Sequence, residues 1–257
     1  MKKKRLIFTL LYENGYYMLS RNFRLQRVGD ANWINNNYNF KKISFSIDEL
    51  IILDVSRKDR DINKFIESFR KITDNVFVPV SIGGGIRSYD EAKLLFQSGA
   101  DKIVLNTSAY QDTELVERIA DEYGAQSVVV SIDVRKNNGS YSCYVQDGSQ
   151  EVEEDLYSYL SKIKNLNIGE IYLNSIDKDG TGQNYDIDLY ESVADKINFP
   201  LIAAGGAGKA EHFIESLSKP HIDAVATANL FNFIGNALPL SREAILSRGL
   251  PLAKFKN

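Results

Sequence analysis

Eight short apolar runs recur along the chain: RLIFTLL, DELIILD, VFVPVSI, DKIVLN, QSVVVSID, GEIYLNSI, FPLIAAG and DAVATAN. Each has strand length and is rich in Val, Ile, Leu or Phe. Between most of them lie INKFIESFRKIT, SYDEAKLLFQSGA, DTELVERIADEYG and DLYSYLSKIKN, with apolar residues at three-to-four spacing, the period of a helix that buries one face. Ser88 followed by Glu91 predicts a capping box at the start of one of these helices. Strand and helix alternating through 257 residues predict an α/β protein of the (βα)8 TIM-barrel class rather than an open doubly wound sheet. No linker or low-complexity tract interrupts the pattern, so residues 1–257 are read as one barrel domain.

The pattern repeats within the chain. Glu49 matches Glu170, Pro79 matches Pro200, Gly84 matches Gly205 and Gly85 matches Gly206 at one constant offset, and Asp101 matches Asp223 one residue further on. The barrel is therefore expected to be two half-barrel repeats. The repeat breaks at one place. FTLLYENG and VVVSIDVRKNNG are both apolar runs that dissolve into a polar loop, yet Leu11 stands in the first where Asp133 stands in the second. One carboxylate occupies a position where symmetry allows two.

With 44% hydrophobic and 25% charged residues the chain has material for one large core, and a formal net charge of -3 gives no bulk attraction to nucleic acid or anionic lipid. Neither is expected as a partner, and an anionic ligand must be held by local geometry. The N-terminal MKKKRLIFTLLYENG is basic and then apolar, but the apolar run has strand length and no small-residue cleavage site follows, which predicts a cytoplasmic protein that keeps its first strand. Cys143 is the single cysteine, which excludes an intrachain disulfide and a Cys-based zinc site. His212 and His221 are not placed for a nucleophilic dyad, no metal-ligand spacing occurs, and no cofactor is invoked.

VSIGGGIRS and IAAGGAGKA each end a strand in glycines and then open a helix. Glycine lets backbone N–H groups approach an oxyanion, and a helix N-terminus adds partial positive charge. A tight turn alone explains one such run; the duplicated pair predicts two phosphate sites. Their expected residues are Gly84, Gly85, Asn106 and Thr107 in the first half, and Gly205, Gly206, Ala228 and Asn229 in the second. In SIDKDGTG, Gly180 and Thr181 are expected to complete the second site, while Asp177 and Asp179 either point into the mouth or hold a turn. Asp54 either lines the same mouth or is a buried structural carboxylate. The stretch from Asn14 to Tyr38 is expected as a loop over the active face, or a plain polar loop ending in a helix. AKFKN reads as a solvated tail.

At the opposite end, Arg5, Glu49, Lys102 and Glu170 stand just before the apolar cores of strands one, two, four and six. They are either solvated strand starts or a ring of alternating charge that gates the barrel floor.

Together with DELIILD, SIGGGI, GADKIVLNTSA, GAQSVVVSID, GEIYLNSIDKDGTG, IAAGGAGKAEHF and LFNF, these motifs resemble the cyclase subunit of imidazole glycerol phosphate synthase over almost the whole chain. The resemblance implies a (βα)8 barrel in heterodimer with a class I glutaminase docked at its N-terminal face, with the four charges forming an ammonia gate. It also implies an acid/base pair at the ends of strands one and five, of which only Asp133 remains. The family's substrate-binding lysine corresponds to Leu19, and YYMLSRNF replaces a basic, glycine-containing segment, with Arg21 as a replacement cation. A branch similar to this pattern uses ammonia to convert an acetamido group of a nucleotide sugar into an acetamidino group in bacterial surface-glycan (O-antigen) biosynthesis. That synthase activity, with Asp133 catalytic, is the leading expectation. The histidine-biosynthesis cyclase and a non-catalytic phosphate-binding partner of a glutaminase remain as alternatives. Tyr12, Tyr16 and Tyr17 either stack on a base or sugar or pack in the core.

Overall fold

The computed structural model describes residues 3–38 and 40–255. Its strands are β1 (Arg5–Glu13), β2 (Tyr16–Arg21), β3 (Arg24–Gly29), β4 (Glu49–Asp54), β5 (Val80–Gly83), β6 (Lys102–Leu105), β7 (Val128–Asn137), β8 (Ser140–Val145), β9 (Gln150–Asp155), β10 (Glu170–Ser175), β11 (Leu201–Ala204) and β12 (Ala224–Thr227). The helices are α1 (Ala31–Asn37), α2 (Phe40–Ile43), α3 (Ile62–Thr73), α4 (Tyr89–Gln97), α5 (Thr107–Gln111), α6 (Thr113–Tyr123), α7 (Leu156–Ile163), α8 (Ile187–Val193), α9 (Ala210–Leu217) and α10 (Ala237–Ser247). Strands β1, β4, β5, β6, β7, β10, β11 and β12 pair in parallel in that order, and β12 pairs with β1, closing a (βα)8 barrel. Each of the eight apolar runs supplies one barrel strand.

The runs are continuously apolar because both faces of each strand are buried. Ile7, Ile51, Val104, Val129, Ile202 and Ala224 fill the barrel interior. Leu6, Phe8, Leu50, Ile52, Val128 and Val130 face the helix layer, where α3 presents Phe65, Phe69 and Ile72. Ser88 caps α4 in the expected capping box with Glu91.

The half-barrel repeat has a physical basis. Val80 N donates to Asp101 Oδ2 at 2.7 Å, and Leu201 N donates to Asp223 Oδ2 at 3.0 Å, so matching acids tie matching strand starts. Strands β1 and β7 each continue into an antiparallel hairpin, β2–β3 and β8–β9, with Leu11 opposite Met18 and Asp133 opposite Tyr144. The first hairpin corrects the expectation of a loop over 14–38. Asn14 and Gly15 have φ of 46° and 94°, and Asn138 and Gly139 have 49° and 88°, the paired left-handed conformations that let Asn-Gly turn a hairpin.

Tyr12 and Tyr17 are buried in the core, Tyr12 with its ring centroid 5.1 Å from that of Phe65, so neither is a stacking platform. Tyr16 lies half-buried under the guanidinium of Arg27. In the tail expected to be solvated, Lys254 and Phe255 are exposed, while Arg242 donates to Ala253 O and lies over the ring of Phe255, which also meets Phe45. Residues 256–257 lie outside the described residues. No described helix is long and apolar enough to cross a membrane.

Candidate active site at the barrel mouth

The C-terminal ends of the barrel strands open into a cavity of about 770 Å³. Asp133 sits near its base, where β7 registers against Asn174 of β10. Asn174 Nδ2 donates to Asp133 Oδ1 at 3.0 Å and Asn106 Nδ2 to Oδ2 at 3.1 Å, so both oxygens are oriented by amides that carry no charge. Burial pushes this carboxyl up to about 7 against the Asn174 hydrogen bond, with Asp147 and Asp179 adding to the rise. A group that exchanges its proton near neutrality suits general acid/base work. Leu11, at the equivalent end of β1, lines the same cavity and has no proton to exchange.

The structure brings Gly84, Gly85, Asn106, Thr107, Gly180, Gly205, Gly206, Ala228, Asn229, Asp54 and Asp179 to this cavity. Glycine is required at the matching turns: Gly84 and Gly205 have φ of 96° and 87°, and a Cβ there would meet Asp54 O at 2.1 Å and Ser175 O at 2.6 Å. One part of the cradle expectation is corrected. The start of α4 is not open to an anion, because Glu91 Oε2 already accepts from the N–H groups of Arg87 and Ser88 at 2.6 and 3.2 Å. At the second turn, Gly208 N donates to Nδ1 of His212 at 3.0 Å, which gives that histidine a structural partner.

Thr181 lies outside the cavity lining, its hydroxyl spent on Lys178 O at 2.8 Å within its own turn. Asp177 also turns away, accepting from Lys136 N at 2.8 Å. Asp179 clamps the first hairpin, accepting from Ser20 Oγ and, at 3.1 Å, from Phe23 N. Asp54 meets both readings at once: it is buried, lines the mouth and accepts from Arg60 Nε at 2.8 Å. Successive residues of a strand face opposite sides, so with Ser20 of β2 turned to the cavity, Leu19 and Arg21 are not in its lining. Arg21 is exposed and supplies no cation there. Cys143 is buried on β8, its thiol pushed up to about 12 by burial, which leaves it unreactive.

Asn174, Ser20, Arg57, Arg60, Arg87 and Asp147 also line the cavity and were not singled out from sequence. Only Asn174 had a usable signal, its place at the end of a barrel strand beside that of Asp133. Among the described residues, no group of three or more His, Cys, Asp and Glu is arranged to hold a metal ion.

At the floor, Arg5, Glu49, Lys102 and Glu170 are the first residues of β1, β4, β6 and β10. Arg5 Nη1 donates to Glu49 at 2.9 Å and to Glu170 at 3.1 Å, and Lys102 Nζ donates to the same two carboxylates at 2.9 and 2.6 Å. Burial alone would raise Glu170, but the hydrogen bonds and charges of Arg5 and Lys102 hold it below the usual carboxylate range. The four side chains close a ring across the barrel axis.

The family model described as "Histidine biosynthesis protein" matches residues 33–235. A protein of Parasynechococcus marenigrum named putative imidazole glycerol phosphate synthase subunit hisF2 is 48% identical over 243 residues, covering 95% of this chain and 90% of its own. Imidazole glycerol phosphate synthase subunits HisF of Chlorobium luteolum and Pyrobaculum aerophilum are 35% and 40% identical, covering 97% and 79% of this chain and 98% and 80% of their own. These names match the cyclase alternative drawn from the sequence; none of them carries the nucleotide-sugar acceptor. With four-fifths of its length inside the matched region and relatives aligned nearly end to end, the chain belongs to the histidine biosynthesis protein family.

Proposed function

We propose that this chain is the ammonia-using synthase subunit of a glutamine-dependent amidotransferase, and that it replaces the carbonyl oxygen of an acetamido group on a nucleotide sugar by NH. Family membership supports the first half of this reading, since the relatives are named as synthase subunits. A glutaminase would dock at the barrel floor, and ammonia would pass the ring of Arg5, Glu49, Lys102 and Glu170 into the interior lined by Ile7, Ile51, Val129 and Ala224.

The observation that carries the second half is the asymmetry of the two matching strand ends, Asp133 at one and Leu11 at the other, both facing the cavity. Amidine formation has a use for one such group. Ammonia attacks the carbonyl carbon, Asp133 carries two protons in turn from the new nitrogen to the carbonyl oxygen, and the C–O bond breaks with loss of water as the C=NH bond forms. A ring closure that relies on separate acid and base groups on opposite strands lacks one of them here. The glycine turns at Gly84–Gly85 and Gly205–Gly206, with Asn106, Thr107, Gly180, Ala228 and Asn229, hold the acceptor across the mouth.

The relatives' names favour a second reading, the cyclase reaction of imidazole glycerol phosphate synthase. Expression of this chain in a bacterium lacking its own cyclase separates the two. No growth without histidine is the expected result, and growth would replace the amidine reading by the cyclase reading.

A further inference from the structure

We infer that Arg57, Arg60 and Arg87 form a clamp for a diphosphate over the first glycine turn, so that the pyrophosphate of a nucleoside diphosphate sits on this side of the mouth. The inference rests on the nucleotide-sugar reading above and assigns the end of the cavity at which the nucleotide lies.

Positive charge in the cavity is one-sided. Among the described residues the three arginines are the cationic side chains of its lining and all three come from the loops after β4 and β5, while at the opposite turn Lys178 packs its Cβ beside Gly206 without entering the lining. A linear substrate with a phosphate at each end has no reason to find cations at one end only. Two adjoining phosphoryl groups do, because guanidinium groups pair with their oxygens in bidentate fashion.

The site is also built before a ligand arrives. Arg60 is fixed by Asp54, through Nε to Oδ2 at 2.8 Å and Nη2 to the backbone O at 3.0 Å, and Nη2 also reaches Gly84 O. Its Nη1 lies where a Cβ of Gly85 would be, 1.0 Å away, so this glycine makes room for the guanidinium on the turn itself. Arg57 Nη2 donates to Phe23 O at 2.7 Å and so ties the tip of the β2–β3 hairpin to the clamp. Arg87 stands exposed at the rim. Asp147, exposed at the tip of the β8–β9 hairpin, lines the cavity with them. An incoming diphosphate meets this carboxylate as a competitor for the same cations.

Calorimetric titration of the chain with inorganic pyrophosphate and with inorganic phosphate tests the clamp. Pyrophosphate is expected to bind at least about ten-fold more tightly than phosphate, and Arg57→Gln and Arg87→Gln each to weaken pyrophosphate by about ten-fold or more, the loss of one charge-assisted contact. Asp147→Asn should act in the opposite direction and tighten pyrophosphate, a result that a misfolded variant does not give. Equal affinity for the two anions, or an unchanged pyrophosphate affinity in both glutamine variants, overturns the clamp. The acceptor reading fails separately: a clamp that holds pyrophosphate as stated, in a protein that amidinates no nucleotide sugar, leaves the clamp standing and removes the reaction.

Discussion

Asp133→Asn is expected to lower ammonia-dependent product formation by roughly 10²- to 10⁴-fold, the usual contribution of a positioned acid/base group, with little change in acceptor affinity. Steady-state rates at saturating ammonium and calorimetric titration of the acceptor check the two parts. The substitution keeps the volume of the side chain between Asn106 and Asn174 but removes the proton exchange. Unchanged turnover would show that the chemistry lies elsewhere in the cavity.

The same variant carries a stability signature whose sign follows from the raised carboxyl. Asp133 titrates near about 7 in the folded chain and near about 3.9 when unfolded, so between these values the unfolded state has already released a proton that the folded state holds. Stability of the parent therefore declines as pH rises through that window and levels off above it. Asparagine does not titrate, so the variant should improve relative to the parent by roughly 2–3 kcal/mol from about pH 5 to about pH 8. Chemical denaturation at the two pH values measures this difference. A constant difference would mean that Asp133 is not held protonated by burial.

Lys102→Glu is the second large effect. Glu49 and Glu170 each accept from both Arg5 and Lys102, and both carboxylates are buried. A third acid in this ring leaves buried charge uncompensated, a change that costs about 3–5 kcal/mol when one partner of a buried pair is lost. With a glutaminase in place, product formed per glutamine hydrolysed should fall, whereas ammonium supplied in solution should still support synthesis. Lys102→Gln, milder for folding, should show the same split. Full coupling in both variants would remove the ring from the ammonia route. The ring should also be acid-sensitive: Glu170 is held below its ordinary range, so its contribution is present above that range and is lost as pH falls through the folded value.

The barrel was legible in the sequence because its strands are buried on both faces and its helices on one, two patterns that differ in period. The floor ring was legible for a related reason: a charged residue immediately before an apolar strand has one place to go in a closed barrel, the rim. The half-barrel repeat singled out Asp133 by pointing to Leu11. What remained hidden depends on long-range closure. The polar stretches that open at the ends of FTLLYENG and VVVSIDVRKNNG read as loop but fold as the hairpins β2–β3 and β8–β9, with Asn14-Gly15 and Asn138-Gly139 as the turn signals, and the tips meet over the mouth, where the ring of Phe23 lies against Gly148. Asp177 and Thr181 share a segment with Asp179 and Gly180, and only the backbone path of that turn decides which residues face the cavity. The arginines gave no periodic signal at all, because they belong to loops.

Synthesis from ammonium is the direct test of the central claim. The purified chain is incubated with isotopically labelled ammonium and, in separate reactions, with acetamido sugar nucleotides and with the histidine-pathway intermediate taken by the relatives' cyclase, and products are read by mass spectrometry. A nucleotide sugar that has exchanged its acetamido oxygen for labelled NH, in a reaction lost with Asp133→Asn, is the result expected here. Label found only in the imidazole product of the histidine-pathway intermediate would contradict it and establish that the barrel closes that ring with Leu11 in place of the acid.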